Sequence, residues 1–227
     1  VIHEEKQEPP MPFPRRGLYA ISEPPTNPRL TLITAAAAAI KGGAAVVQYR
    51  DKSADSARRK DEAAGLLALC RAHDVPLLIN DDLELAATIG ADGVHLGKDD
   101  PDLASARTRL GNHAIIGCSC YNSLERAVGA QAAGFDYVAF GRFFTSRTKP
   151  LAVQATTALL ESARQQIELP IVAIGGITTE NGGELLRAGA SLLAVINGLF
   201  GKADPEAEAF AYGRLFDQVH EATTGGD

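Results

Sequence analysis

Gln48, Arg50 and Lys52 stand at alternate positions of the chain, and these are residue types that meet anions. In an extended segment a period of two puts them on one face. There an amide and two cations can grip a phosphate, with the guanidinium able to bind it bidentately. The alternative is a solvated strand end whose charges pair with Asp51 and its neighbours. Asp81 and Asp100 each follow a short apolar run, 19 positions apart, so adjacent strands would bring them together. Two carboxylates without a Cys or His cluster suit a hard ion, above all Mg²⁺, which keeps waters and shares phosphate oxygens. As a general acid and base the pair would serve a hydrolase, a reading that leaves Arg50, Lys52 and Lys149 without use. Asp82 can instead cap a following helix, and Asp99 can face water.

Ser146, Thr148 and Lys149 put two hydroxyls and an ammonium on one loop, and Gly175-Gly176 are expected to lead into a helix whose free N–H groups favour phosphate. These positions form a second candidate anion site, although glycine at a tight turn also has a purely conformational use. One carboxylate pair and two anion sites imply a metal, a polyphosphate and another phosphorylated partner. His95 falls on a short apolar run, where it can transfer protons or serve as a hydrogen-bonded structural residue. His3, His73, His113 and His220 make no ligand constellation. Cys70, Cys118 and Cys120 form neither an even disulfide set nor a metal set, and read as reduced thiols of a cytoplasmic protein.

The elements that must position these groups alternate along the chain. Short apolar runs at 18–22, 44–50, 76–80, 93–96, 114–119, 137–141, 171–175 and 192–197 read as strands. Helical stretches follow at 30–42, 55–73, 83–89, 101–110, 123–133, 152–166, 180–188 and 205–220, with Asn122 a candidate cap for the fifth. Continuous rather than alternating apolar strands are those of a parallel sheet covered on both faces. Eight strand-then-helix units predict an α/β fold, a single (β/α)8 TIM barrel, with chemistry at the C-terminal strand ends. The candidate residues collect at those ends. An open doubly wound sheet would usually carry a glycine-rich phosphate loop after its first strand, where this chain has Ser22-Glu23-Pro24-Pro25.

The chain has 227 residues, 45% of them hydrophobic, enough for one large core. Residues 1–16, rich in proline and charge, are expected to be a flexible tail, 17–220 the catalytic domain and 221–227 a C-terminal tail. A formal charge of -6 argues against nucleic acid or an anionic membrane as partner. No apolar stretch is long enough for a membrane span, and no export signal is apparent. The apolar outer faces are compatible with a homo-oligomer.

QYRDK at 48–52, NDD at 80–82, GADGVHLGKDD at 90–100, GRFFTSRTKP at 141–150 and AIGGI at 173–177 together resemble the thiamine phosphate synthase family, from Gly17 to about Phe216. The resemblance implies that Gln48, Arg50, Lys52, Asn80 and Lys149 grip a pyrimidine pyrophosphate, and that Asp81 and Asp100 hold Mg²⁺. It places Ser119 beside the pyrimidine. Ser146, Thr148, Gly176 and the backbone around Ile196 and Asn197 would receive a thiazole phosphate. Arg50, Lys52 and Lys149 would carry the catalysis. Arg142 and Ser146 stand where many members have proline and threonine, Asn197 where many have serine, and Cys120-Tyr121 where threonine and histidine are common.

The implied partners are two small phosphorylated heterocycles. The ring nitrogen of 4-methyl-5-(2-phosphooxyethyl)thiazole would displace pyrophosphate from 4-amino-2-methyl-5-hydroxymethylpyrimidine diphosphate. Three other readings compete. A thiazole tautomerase of the same fold has no leaving pyrophosphate to neutralise, and a phosphosugar isomerase needs a central acid/base pair that His95 alone does not supply. A non-catalytic phosphate-ligand sensor would bind without turnover.

Overall fold

The apolar runs pair in the computed structural model as eight parallel strands, hydrogen-bonded in chain order and closed into a barrel. Residues 11–145 and 154–224 are described, with side chains to 222. The order is β1 (Gly17–Ile21), α1 (Leu32–Lys41), β2 (Ala44–Tyr49), α2 (Ser56–Arg71), β3 (Leu77–Asn80), α3 (Leu83–Ile89), β4 (Gly93–Leu96) and α4 (Leu103–Leu110). The second half continues as β5 (Ile115–Tyr121), α5 (Leu124–Ala133), β6 (Tyr137–Gly141), α6 (Thr157–Gln166), β7 (Ile171–Ile174), α7 (Gly182–Arg187), β8 (Leu192–Val195), α8 (Asn197–Phe200) and α9 (Pro205–Thr224). This is the (β/α)8 barrel expected from the alternation. No described helix is long and apolar enough to cross a membrane.

Two concentric cores follow from the period-two alternation of strand side chains. Inward residues such as Tyr19, Val46, Leu78, Tyr137, Val172 and Leu192 fill the barrel. Outward residues such as Leu18, Val47, Leu77 and Phe140 pack against the helix layer. Ala35, Ala36 and Ala39 of α1 are fully buried, small enough to let the helix lie close on the sheet. The expected apolar side of α2, formed by Ala63, Leu66, Leu67 and Cys70, is the buried one.

Several boundaries differ from the sequence reading, each for a local reason. Helix α1 starts at Leu32 rather than 30, because Thr31 and Thr34 form a reciprocal capping box. Ser123, not Asn122, caps α5 by accepting from the Arg126 N–H. Strand β5 runs on to Tyr121, past the expected end at 119, and α6 begins at Thr157 instead of 152. Helix α9 continues beyond 220 into the expected C-terminal tail. Phe13 lies within the expected N-terminal tail. Its ring stacks on Tyr137 with centroids 4.1 Å apart and planes 6° from parallel, and meets Tyr19 edge-on at 6.2 Å. It enters the barrel from the N-terminal ends of the strands.

Candidate active site

The C-terminal strand ends surround a cavity of about 330 Å³. Gln48, Arg50, Lys52, Asn80, Asp81, Asp100, Ser119 and Ile196 all line it, together with His95, Tyr121 and Arg142. Gly176 and Asn197 do not line it. Ser146, Thr148 and Lys149 lie outside the described residues.

Strand β2 ends at Tyr49, and the next N–H, that of Arg50, is held by Ser22 just after β1, whose hydroxyl oxygen accepts from it at 2.9 Å. Neither Arg50 nor Lys52 has a carboxylate within 4 Å among the described residues, so the pairing with Asp51 considered from the sequence does not form. Asp51 binds Arg58 at 2.6 Å instead. The two cations are thereby left to the cavity. Gln48 lies deeper and is buried, with its Nε2 donating to the Tyr19 hydroxyl at 2.7 Å.

Strands β3 and β4 pair with Asn80 opposite His95, which brings the segments bearing Asp81 and Asp100 together. Asp81 has a left-handed backbone, φ 63°, and its N–H donates to the His95 carbonyl at 2.9 Å. This conformation is uncommon outside glycine, with Asp and Asn among the more tolerant residues. Burial, and then the facing carboxylate of Asp100, push the Asp81 carboxyl above its ordinary range, while Asn80 and Lys52 act the other way. A buried carboxyl whose proton affinity is raised by a facing carboxylate is a group that a cation would relieve, so the donor set fits Mg²⁺. No described cluster of three or more His, Cys, Asp or Glu could hold a metal. A cation here would therefore draw its remaining ligands from water or phosphate. Asp82 takes the alternative role, capping α3 through Leu85 N–H at 2.9 Å and pairing with Arg59 at 2.6 Å. Asp99 is largely exposed.

The second expected anion site is only partly as read. Helix α7 begins at Gly182, so Gly176 is not at its N-terminus. Residues 177–181 intervene, and the Asn181 side chain donates to the Gly176 carbonyl at 3.1 Å. Glycine is required at 176 for conformation: φ is 66°, and an added Cβ would meet the Thr145 carbonyl at 2.5 Å and Phe144 Cβ at 2.8 Å. Asn197 opens the four-residue helix α8 instead of ending a strand.

The sequence reading missed Tyr19, which lines the cavity floor, and Tyr137, which is buried behind it. Their hydroxyls are 2.8 Å apart. Tyr137 is also 2.8 Å from His95 Nδ1, and His95 Nε2 is 2.8 Å from Ser119 Oγ. Burial raises both tyrosine pKa values, so both are neutral. The usable signal was register: Tyr19 and Tyr137 fall on the inward phase of their strands, the phase that holds Gln48.

The model of the thiamine monophosphate synthase family matches residues 18–199. Thiamine-phosphate synthase of Nitrosococcus oceani is 55% identical over 201 residues, 88% of this chain and 93% of that protein. The Marinobacter nauticus protein of the same name is 52% identical over 208 residues, 91% of this chain and 93% of that one. The solved thiamine phosphate pyrophosphorylase from Pyrococcus furiosus has a TM-score of 0.79 at 30% identity, covering 90% of this chain and 97% of that chain. The chain belongs to the thiamine monophosphate synthase family.

Proposed function

We propose that this chain is an Mg²⁺-dependent transferase that joins 4-amino-2-methyl-5-hydroxymethylpyrimidine diphosphate to 4-methyl-5-(2-phosphooxyethyl)thiazole, giving thiamine phosphate and pyrophosphate. The observation that carries the reading is the convergence of Arg50, Lys52, Asn80, Asp81, Asp100 and Ser119 on one cavity. The aminopyrimidine stabilises positive charge on its exocyclic carbon, so C–O cleavage can run ahead of attack by the thiazole nitrogen. That nitrogen already has a lone pair and needs no general base. The protein's work is then to stabilise charge on the leaving diphosphate and to hold the two rings in line.

Arg50 and Lys52 bind the diphosphate as it departs, and Asn80 donates to it. Asp81 and Asp100 would hold Mg²⁺, which when bound neutralises part of the pyrophosphate charge. Ser119 lies against the pyrimidine. By the family resemblance Lys149 joins the pyrophosphate side, and Ser146, Thr148, Gly176, Ile196 and Asn197 the thiazole phosphate. Arg142 adds a further cation on the cavity wall. The reaction belongs in the cytoplasm, where Cys70, Cys118 and Cys120, free and buried, stay reduced.

The test is product formation by the purified protein with Mg²⁺ and both heterocycles, against either heterocycle alone. Thiamine phosphate and pyrophosphate in equal amounts, only when both are present, is the expected result. Binding of both substrates without product would assign the chain to the sensor class.

A further inference from the structure

Four hydrogen bonds cross the barrel floor from strand β2 to strand β5, linking Gln48, Tyr19, Tyr137, His95 and Ser119 in that order at 2.7, 2.8, 2.8 and 2.8 Å. Each tyrosine hydroxyl carries a single hydrogen. The Tyr19 hydroxyl accepts from Gln48 Nε2, and its one other partner among the described residues is the Tyr137 hydroxyl. Tyr19 is buried, so its hydrogen must go to Tyr137 or stay unpaired, which a buried donor rarely does. Tyr137, now an acceptor, gives its own hydrogen to His95 Nδ1. His95 then carries its proton on Nε2 and donates to Ser119 Oγ. Ser119 accepts from below, and its hydroxyl hydrogen is left for the cavity it lines. At the other end the bond to Tyr19 takes one of the two Gln48 Nε2 hydrogens and fixes which way the amide faces, so its carbonyl oxygen is held on the opposite side as an acceptor for a ligand.

We propose that Tyr19, Tyr137 and His95 are positioning residues: a one-way relay of hydrogen bonds that fixes Gln48 as an acceptor and Ser119 as a donor toward the cavity. The floor then selects a ring that donates on one side and accepts on the other. On the proposed function that ring is the aminopyrimidine, with its amino group toward Gln48 and a ring nitrogen toward Ser119. The relay is held from outside. Gly117 leaves the recess that Tyr137 fills, since an added Cβ would overlap the ring carbons and hydroxyl of Tyr137. Phe13 covers a face of the same ring.

The direction is readable in the free protein by nitrogen-15 NMR of His95, which distinguishes the two neutral tautomers and the imidazolium. The expected species is the Nε2–H tautomer. An Nδ1–H tautomer would mean that the chain runs backwards, with Ser119 donating inward, and would overturn the proposal, as would an imidazolium. Tyr137→Phe keeps the ring in its recess and removes the link. His95 should then lose its single tautomer, and the KM for the pyrimidine diphosphate should rise about tenfold with the KM for the thiazole phosphate unchanged. An unaltered tautomer in that variant would show that the relay does not set it. Tyr19→Phe repeats the test should Tyr137→Phe fail to fold. The tautomer is measured without substrate, so failure of the relay and failure of the assigned reaction give different results. A reversed tautomer in a protein that makes thiamine phosphate removes only the relay. The expected tautomer in a protein that makes none removes only the reaction.

Discussion

The same one-methyl change should have opposite signs at two glycines of this barrel. At Gly117, inside β5, a Cβ would fall within the van der Waals shell of Tyr137, against Cζ, Cε1 and the hydroxyl. Tyr137 is fully buried and cannot swing clear, because Phe13 is stacked on it. Forcing extra volume into such a core costs about 1–3 kcal/mol. If the ring tilts, its hydroxyl also loses its bonds to Tyr19 and His95, about 0.5–1.5 kcal/mol each. Gly117→Ala should therefore destabilise the protein by about 2–6 kcal/mol, a Tm loss on the order of 5–20 °C for a chain of this size. Gly129, an exposed residue within α5, has nothing within 4 Å of its added Cβ. Gly129→Ala should stabilise by about 0.5–1 kcal/mol, because alanine orders the helix at less entropic cost. Urea unfolding at equilibrium, with slopes compared to confirm a common unfolded state, measures both. A loss below about 0.5 kcal/mol for Gly117→Ala would show that Tyr137 is not confined as described, and a loss at Gly129 would refute the helix argument.

Arg50→Ala and Lys52→Ala should each lower kcat/KM for the pyrimidine diphosphate about 10²-fold, or ~2.7 kcal/mol of transition-state stabilisation. Steady-state kinetics near parental values for both would sink their assignment to the leaving group. Asp81 has a carboxyl pushed up by burial and by Asp100, so its contribution to stability is full below the ordinary aspartate range and lost as pH rises through the raised value. Metal-free Asp81→Asn should therefore be more stable than the parent at about pH 7, with the advantage shrinking in acid, and Mg²⁺ should raise the Tm of the parent alone. Melting curves with and without the ion decide this, and an unshifted parent Tm would count against the metal site. Iodoacetamide should label none of the three buried cysteines in the native protein and all three after unfolding, as read by mass spectrometry. Cys118 should lead under partial opening, since the Cys120 thiol and Arg126 hold its pKa down to about 7. Prompt native labelling would contradict the burial of Cys70 on α2 or of Cys118 and Cys120 on β5.

The barrel was legible because its strands are short, apolar and regularly punctuated, and the polar residues that interrupt that pattern mark the strand ends. Arg50, Asp81 and Asp100, which line the cavity, stand out in the sequence in this way. Tyr19 and Tyr137 were not, since a tyrosine in an apolar run reads as core filling, and only the closed register shows that their hydroxyls meet. Helix α8 spans four residues, too few for any periodicity to announce. The separation of Gly176 from α7 was hidden for another reason: a glycine pair before a helical pattern does not say how many residues the turn consumes. Ser22, which orients Arg50, looked like the end of an apolar run, yet its hydroxyl holds the neighbouring backbone.

Phe13 precedes the span 18–199 that the family model matches, yet its ring backs Tyr137, the tyrosine bonded to Tyr19 beneath the cavity. Trimming the gene to the aligned barrel, as is common when a shorter chain is wanted for expression, would keep every described side chain that lines the cavity and discard this backing. Residues that look like packaging in an alignment are here part of the wall behind the catalytic chamber. An engineer choosing a cleavage site for an affinity tag should place it ahead of Met11, and should treat the segment from there to Gly17 as part of the folded unit.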